Sequence, residues 1–377
     1  MSVRRWWCAL LIVSACSLEP ASLPGLPSAI TLIPSPPAAT RPAGTPSLAP
    51  TETPLPSQTP APTQTSTASP TPGVVSLMAV GDVMLARSLG ERITTEGIAP
   101  YRELGALLGG ADVAVANLEC AISERGAPQP KAYVFRAPAA AAEAVAAMGL
   151  DVVSLANNHA LDFGPEALFE TIDLLRARGI EPVGAGGNAS ESRTPVVVER
   201  NGLRLAFLAY VDVPVESRSG FDTRTWSATE STPGLAWADP AAISADATAA
   251  RQSVDVVIVL LHSGYENRPE PNDVQRRAAR AAIDAGAALV VGAHPHVLQG
   301  IETYNGGLIA YSLGNFIFDE FDGAANDTAI FKVQLGKGGV LGFEWLPMVI
   351  ENGSPRAATP DESERILRRV QPITPTP

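Results

Sequence analysis

The chain contains only four histidines, and each lies in a polar cluster that follows an apolar run typical of a buried strand: His159, His262, His294 and His296. A single histidine in such a place is more often a hydrogen-bonded structural residue. Four histidines in equivalent places favour a common site, because a random scatter would put some of them in helices, linkers or surface loops. Imidazole is also the side chain that proteins most often use to bind metal ions.

Oxygen ligands occupy the same kind of position. Asp82, Glu119 and Asn158 each follow an apolar run. Imidazole combined with carboxylate and amide oxygen, with no thiolate at hand, suits Mn²⁺, Fe, Zn²⁺ or Mg²⁺. We therefore predict a divalent-metal site with these ligands: Asp82, Glu119, Asn158, His262, His294 and His296. The spacing His-x-His at 294–296 lets two imidazoles reach neighbouring positions, so the site could hold one ion or two ions about 3.5–4 Å apart.

The elements that must position these residues are short strands alternating with helices. The predicted strands are Val74–Val80, Ala111–Ala116, Asp151–Leu155, Val254–Leu261 and Ala287–Gly292. The predicted helices between them are Ala137–Met148, Pro165–Arg178 and Asn272–Ala285. This alternation predicts an α/β fold, in which ligands bind beyond the carboxyl ends of the strands.

Three turn signals predict antiparallel hairpins as well. Asn201-Gly202, Asn305-Gly306-Gly307 and the glycine-rich stretch 336–339 each separate two apolar runs. Asn-Gly favours the tight turn that joins neighbouring strands. The sheets are therefore expected to be mixed, with parallel and antiparallel strands.

Six motifs in this order resemble a known family. They are Gly81-Asp82-Val83-Met84-Leu85, Asn117-Leu118-Glu119, Ala156–Gly164 (ANNHALDFG), His262–Glu266 (HSGYE), Gly292–His296 (GAHPH) and Tyr311–Phe316 (YSLGNF). The series resembles the CapA/PgsA-type capsule proteins, a family associated with poly-γ-glutamate biosynthesis and with the calcineurin-like metallophosphatase superfamily. The resemblance extends over about residues 75–350.

The resemblance implies a four-layer α/β/β/α sandwich and a role for each site residue. It makes Asp82 and His296 ligands of a first metal, and His262 and His294 ligands of a second. Glu119 would stand in the bridging position and Asn158 would supply an amide ligand. His159 would be the general acid beside them.

Two departures from the broader phosphatase pattern bear on activity. Met84 stands where that pattern has a histidine, and a thioether is a poor ligand for hard ions. Asn117-Leu118-Glu119 replaces the usual Gly-Asp-x-x-Asp. The first metal site is therefore expected to be one ligand short, which leaves open one metal, two metals or a binding site without metal.

Other polar residues near these motifs are secondary candidates. Glu266, four residues after His262, could be a catalytic base or a metal ligand, or a solvated loop carboxylate. Arg136 could bind a substrate carboxylate or phosphate through its two-pronged guanidinium, or be a surface residue. Asn315 could line the substrate site or cap a turn, and Asp162 could orient His159.

The first sixteen residues have the pattern of a lipoprotein signal peptide. Arg4 and Arg5 precede an apolar stretch of about ten residues, too short for a comfortable membrane span. The stretch ends in Val13-Ser14-Ala15-Cys16, which resembles a bacterial lipobox and implies lipid attachment at Cys16. The alternative is an ordinary signal peptide. With lipidation, the protein would be exported and anchored to the outer face of the cell membrane.

Composition divides the rest of the chain. Residues 17–73 are rich in Pro, Thr and Ser and are predicted to be a disordered linker. Residues 74–351 are predicted to form the folded domain and 352–377 a flexible tail. Cys120 lies within the domain and is expected to be a small buried residue rather than a nucleophile.

Charge and motifs together leave two hypotheses for function. The formal net charge is −12, and the sequence has no basic patch, which argues against a nucleic-acid partner. The first hypothesis is a metal-dependent hydrolase or transferase at the cell surface. The second is a protein that binds an anionic polymer such as poly-γ-glutamate without chemistry and assists its synthesis or export with the membrane components of a capsule synthase.

Overall fold

A computed structural model describes residues 73–216 and 218–373. The signal peptide, Cys16 and nearly all of the predicted linker therefore lie outside the described residues. The strands are β1 (Val74–Val83), β2 (Val113–Leu118), β3 (Ala121–Ile122), β4 (Arg136–Ala137), β5 (Val152–Ser154), β6 (Glu181–Val183), β7 (Ala185–Gly186), β8 (Val196–Arg200), β9 (Leu203–Asp212), β10 (Gly234–Leu235), β11 (Val256–Ser263), β12 (Leu289–Ala293), β13 (Ile301–Tyr304), β14 (Gly307–Ala310), β15 (Asn315–Ile317), β16 (Asp327–Gly336), β17 (Gly339–Glu351) and β18 (Ser354–Ala357).

The helices are α1 (Arg87–Glu96), α2 (Ala99–Leu108), α3 (Ala141–Ala147), α4 (Pro165–Arg176), α5 (Ala189–Ser192), α6 (Pro240–Arg251), α7 (Asp273–Asp284) and α8 (Pro360–Arg369). Within residues 73–216 and 218–373, none of them is long and apolar enough to cross a membrane.

Two mixed sheets form the centre of the fold. The larger has eight strands in the order β18-β17-β16-β1-β2-β5-β6, with β15 beside β1. The smaller has six strands in the order β13-β14-β12-β11-β9-β8. In each sheet the strands that carry the predicted site are parallel, and antiparallel strands complete the sheet. The prediction of mixed sheets is therefore confirmed.

Strand β9 shows how the layers stack, because its successive side chains enter different hydrophobic cores. Leu205, Phe207 and Ala209 belong to the core shared with the larger sheet. Leu208 and Tyr210 belong to a second core, which the inner faces of α6 and α7 complete. This alternation is the two-residue period of a strand buried on both faces.

A helical layer on the other side completes the sandwich. Helices α1–α4 pack beside one another, and Leu104, Val145 and Leu168 join the core of the larger sheet. The layers are therefore helix, sheet, sheet and helix. The predicted four-layer α/β/β/α sandwich is confirmed.

The three hairpins lie where the turn signals predicted them. Asn201 and Gly202 join β8 to β9 and have left-handed backbone, with φ of 51° and 79°. Asn305 and Gly306 do the same between β13 and β14, with φ of 44° and 82°. Asn-Gly suits such turns because both residues adopt positive φ at low cost.

The carboxyl-terminal segment differs from the prediction of a flexible tail over 352–377. Strand β18 pairs with β17, and α8 packs its buried Ile366 against Leu298 and Ala329. A capping box at Thr359 and Glu362 starts α8. The composition of this segment predicted a flexible tail, but a short helix needs only one apolar face to pack on the domain, and Ile366 supplies it. The correction applies up to residue 373, and 374–377 lie outside the described residues.

Candidate metal centre

The end of strand β1 places Asp82 at the centre of the molecule. A Cβ atom built on Gly81 would lie 1.9 Å from the carbonyl oxygen of Gly314. Only glycine at position 81 therefore allows the end of β1 to pack this closely against the backbone of Gly314. Asp82 is fully buried, and its Oδ1 accepts a hydrogen bond of 2.8 Å from the amide of Asn117. The end of β1 at Gly81 and Asp82 is therefore fixed by packing against Gly314 on one side and by the hydrogen bond from Asn117 of β2 on the other.

Glu119, just beyond β2, lies among the imidazoles of three histidines. Its Oε1 is 3.7 Å from Nε2 of His296, 3.9 Å from Nε2 of His262 and 4.0 Å from Nε2 of His159. Its Oε2 accepts a hydrogen bond of 3.3 Å from Asn117. The amide of Asn117 thus orients both Asp82 and Glu119 and leaves Glu119 Oε1 directed at the histidines.

Asn158 and His262 come from the two different sheets and meet at the site. Asn158 follows β5, whereas His262 lies near the end of β11. Asn158 Oδ1 and His262 Nε2 are 2.7 Å apart. Both atoms are metal-ligating types, and their closeness lets them bind the same ion.

The turn after β12 aims two imidazoles at the site through an unusual backbone. His294 and His296 have φ of 95° and 57°, the left-handed region that side chains other than glycine rarely adopt. Nδ1 of His296 lies 3.3 Å from Asp82 Oδ2 and 2.8 Å from Asn315 Oδ1. Strain of this kind is characteristic of functional sites, and here it turns both histidines inward.

The structure therefore brings all six predicted ligands together. Two sets of three have ligand atoms within 4.8 Å of one another: Glu119 with His294 and His296, and Asp82 with Glu119 and His262. Glu119 belongs to both sets, but they pair His294 with His296 and Asp82 with His262, whereas the resemblance implied Asp82 with His296 and His262 with His294. Among the described residues, Glu119 Oε1 and His294 Nδ1 are buried without a hydrogen-bond partner. Buried polar atoms of this kind are rare unless they bind a ligand, so the residues fit a divalent cation.

The electrostatics of the cluster support the same interpretation. Burial raises the pKa of Glu119 well above its ordinary value, and the charge of Asp82 raises it further. Burial lowers the pKa of His262 and His294 well below the ordinary value, and the neighbouring imidazoles lower it too. Burial opposes protonation of His296 as well, but Asp82 raises the pKa of that imidazole. Neutral imidazoles and crowded carboxylates are what a cation stabilises.

His159 lies beside the six ligands and has a separate set of partners. Its Nδ1 donates a hydrogen bond of 2.7 Å to Asp162, and its ring stacks on Phe135 with centroids 4.1 Å apart. Burial lowers the pKa of His159 to about 4, against the opposing effect of Asp162. The ring is therefore neutral near pH 7, and its Nε2 lies 4.0 Å from Oε1 of Glu119. Asp162 orients His159, as predicted.

Lys131 also belongs to the group of residues around His159, and it was not predicted from the sequence. Its side chain is fully buried, forms an ion pair with Asp162 and lies 4.9 Å from the centre of the Trp226 ring. It also donates a hydrogen bond to the carbonyl oxygen of Asn158. Nothing in the sequence distinguishes it, because lysine is usually exposed.

A pocket of about 230 Å³ gives access to the cluster. Asn158, His159, His296 and Glu266 line it. Glu266 is exposed at the mouth, so it is placed to meet a substrate, and its catalytic role stays a prediction.

The two predicted substrate-binding residues do not lie in this pocket. Arg136 is exposed, stacks 4.2 Å above the ring of Phe163 and lines a neighbouring groove. Asn315 is fully buried, and its amide donates to the carbonyl oxygens of His296 and Ala325. Asn315 therefore holds His296 in place, which corrects its predicted position at the substrate.

Met84 and Cys120 occupy structural positions. Met84 is fully buried, and its sulfur accepts a hydrogen bond of 3.1 Å from the backbone of Ala86. It stands where the broader phosphatase pattern has a metal-binding histidine, but its sulfur is bonded within its own loop. Cys120 is also buried, as predicted, and burial raises its pKa to about 12. A thiol with that pKa is not a nucleophile at neutral pH.

The two-sheet sandwich and the ligand cluster at its strand ends define the class: an α/β/β/α protein with a candidate divalent-metal site. The family described as "Bacterial capsule synthesis protein PGA_cap" matches residues 76–320. The chain belongs to this family.

Named relatives extend this result. The chain is 33% identical over 304 residues to the PGA biosynthesis protein CapA of Bacillus subtilis, which covers 79% of this chain and 78% of that one. It is 30% identical over 308 residues to the capsule biosynthesis protein CapA of Bacillus anthracis, covering 78% and 72%. Among solved structures, a phosphatase from Mycoplasma pneumoniae aligns with a TM-score of 0.47 and 12% identity, covering 78% of this chain and 98% of that one.

Proposed function

We propose that this protein is a lipoprotein at the outer face of the cell membrane that assists the biosynthesis of a capsule or poly-γ-glutamate through a divalent-metal centre. Membership of the capsule synthesis family and similarity to two CapA proteins support the role in capsule biosynthesis. The observation that carries the metal centre is Glu119, whose buried Oε1 lies among three imidazoles and belongs to both ligand sets.

The residues that would hold the metal follow from the two ligand sets. Asp82, Glu119 and His262 form one set and Glu119, His294 and His296 the other, with Asn158 beside His262. Mn²⁺, Fe, Zn²⁺ and Mg²⁺ all suit these donors. When bound, such an ion polarises a phosphoryl or carbonyl oxygen and makes a coordinated water more acidic.

The protein itself would orient the substrate and move protons. Asp162 fixes His159 with Nδ1 protonated, so Nε2 can accept a proton and return it to a leaving group. Glu266 at the mouth could exchange that proton with solvent. This is the chemistry of a hydrolase, and the bond cleaved would be an ester, a phosphoester or a γ-glutamyl amide.

The experiment is an assay of the purified protein with Mn²⁺ and each of these three substrate types. Turnover that disappears in His294→Ala would support the hydrolase. Equal turnover in wild type and His294→Ala would eliminate it, because the activity would then come from elsewhere.

A second function is favoured by Met84. Met84 is buried with its sulfur bonded to the backbone of Ala86, so the first metal site implied by the resemblance, that of Asp82 and His296, is one donor short. A site with an incomplete ligand set is more consistent with binding than with catalysis. The protein would then hold an anionic polymer such as poly-γ-glutamate and pass it between membrane components of the synthase. Metal-dependent binding of the polymer without cleavage would favour this function over hydrolysis.

Membrane anchoring through Cys16 is part of the proposal and needs its own test. The wild-type protein is expected in the membrane fraction and to incorporate labelled fatty acid. Cys16→Ala should lose the label, whereas retention of label in that variant would exclude lipidation at Cys16.

A further inference from the structure

Arg87 is a cation at the metal centre to which no role has yet been given. It lines the pocket together with His159 and His296. Its guanidinium lies 4.8 Å from the centre of the Phe135 ring, and the same ring stacks on His159. Arg87 is therefore separated from the predicted catalytic imidazole by a single aromatic ring.

Two carboxylates bind Arg87, and they are held very differently. Asp319 is nearly buried, with a side chain 9% exposed, and also accepts a hydrogen bond from Ser88. Glu320 is 2.9 Å from Arg87, but its side chain is 66% exposed. Exposed ion pairs are weak because water competes for both charges, so Glu320 can be displaced while Asp319 keeps the guanidinium in place.

The backbone at both ends of the Arg87–Glu320 pair is strained. Arg87 has a φ of 53° and Glu320 a φ of 63°, both in the left-handed region. The two residues with this backbone are therefore the two partners of the ion pair, and both line the pocket. Residues other than glycine rarely adopt this conformation, and it is concentrated at functional sites.

We propose that Arg87 binds a carboxylate of the substrate, and that the side chain of Glu320 occupies this position until the substrate displaces it. Asp319 holds Nη2 of Arg87, so Nη1, which contacts Glu320, is the nitrogen left for the substrate. Nη1 can donate a charge-assisted hydrogen bond to a carboxylate, and Glu320 is itself a γ-carboxylate of the kind that a glutamate polymer would present. The inference rests on the proposed function and names the residue that recognises the polymer. Glu216 and Glu266 line the pocket as well, together with Arg218. Glu320 is thus one of several acidic groups that repel an anionic chain, and Glu320→Gln removes one of them.

The two members of the pair should therefore have opposite effects. Glu320→Gln removes the competing carboxylate and should tighten binding about threefold or more, whereas Arg87→Met removes a charge-assisted contact and should weaken it about tenfold. If both residues only stabilised the loop, both substitutions would change binding in the same direction.

The test uses full-length protein in detergent with Mn²⁺, titrated calorimetrically with a short γ-linked glutamate oligomer and, separately, with inorganic phosphate. Glu344→Gln is the matched control, since Glu344 pairs with Lys332, has a side chain 61% exposed and does not line the pocket. It changes the net charge equally and should leave the affinity unchanged. Mn²⁺ affinity should be the same in all variants. If Arg87→Met does not fold, Arg87→Lys should still weaken binding, because its single amine cannot serve Asp319 and a substrate carboxylate through separate nitrogens as Arg87 does.

The outcomes separate this inference from the proposed function. Wild-type protein that binds Mn²⁺ but no oligomer overturns the inference and the polymer-binding function, whereas hydrolysis of an ester or phosphoester is decided by the activity assay with His294→Ala. Oligomer binding that Arg87→Met leaves unchanged, or that Glu320→Gln weakens, overturns only the inference. Tighter binding of phosphate than of the oligomer, with the same dependence on Arg87, overturns the assignment of a carboxylate.

Discussion

Oε1 of Glu119 lies 3.7 Å from Nε2 of His296, although the two residues follow strands of different sheets. Glu119 follows β2 of the larger sheet and His296 follows β12 of the smaller one. A ligand held by both residues therefore connects the two halves of the sandwich. Binding at this point should stabilise the whole fold.

Metal binding is therefore expected to raise the melting temperature, and Glu119→Gln should abolish the increase. Free metal at a hundred times its Kd stabilises a protein by about 2.7 kcal/mol. The glutamine variant keeps the shape of the side chain but loses the shared ligand. Thermal unfolding with Mn²⁺, Zn²⁺ or a chelator measures the difference. Glu344→Gln serves as the control, and an equal metal response in Glu119→Gln would contradict the shared position.

The buried pair of Lys131 and Asp162 makes a second prediction. Both side chains are fully buried, so Lys131→Met leaves an uncompensated charge in the interior. Loss of one partner of a buried pair costs about 3–5 kcal/mol of unfolding free energy. Denaturant unfolding measures it, with Arg125→Met as the control because Arg125 is 70% exposed in its pair with Glu170. That exposed pair should contribute about 1 kcal/mol or less. Equal losses in the two variants would show that Lys131 is not held as described.

Helix α8 can be tested through two adjacent residues. Ile366 is fully buried against the larger sheet, whereas Leu367 is 36% exposed. Ile366→Ala should lower the free energy of unfolding by about 2–4 kcal/mol, because it removes buried methyl groups and leaves a cavity. Leu367→Ala should cost much less. Similar values for the two variants would restore the prediction of a flexible tail.

The start of α8 should also depend on pH. The hydrogen bonds from Arg356 and from the backbone of Thr359 lower the pKa of Glu362 from 4.5 to about 2. A lowered pKa means that the folded state favours the ionised carboxylate. The stabilisation is therefore present above pH 4.5 and is lost as the pH falls towards 2. The difference in melting temperature between wild type and Glu362→Gln should be small and should shrink between pH 6 and pH 3. A difference that grows on acidification would have the wrong sign.

The sequence predicted the centre well because the ligands have a regular position. Asp82, Glu119 and His262 each lie at the end of an apolar run, and such runs become the parallel strands whose carboxyl ends meet. Period and turn residues also predicted the hairpin at Asn201. These features depend only on residues close together in the sequence, so they can be recognised without knowing the fold.

Contacts between distant segments could not be predicted in the same way. The sequence made Arg136 either a substrate-binding cation or a surface residue, and its guanidinium is exposed and stacks on Phe163, whereas Arg87 lies in the pocket. The environment of Lys131 depends on Asp162 and on Trp226, which is far along the chain. The packing of α8 likewise depends on the contact of Ile366 with Leu298 and Ala329, which lie far from it in the sequence. Composition does not predict such a contact.

The most direct measurement of the central claim is anomalous X-ray scattering from crystals of the protein grown with Mn²⁺. We predict a peak bounded by Glu119, His294 and His296, with a second bounded by Asp82, Glu119 and His262 if two ions bind. Glu119→Gln crystals should lose the peak. A peak elsewhere on the molecule, or none at Mn²⁺ concentrations that stabilise the protein, would contradict the metal centre proposed here.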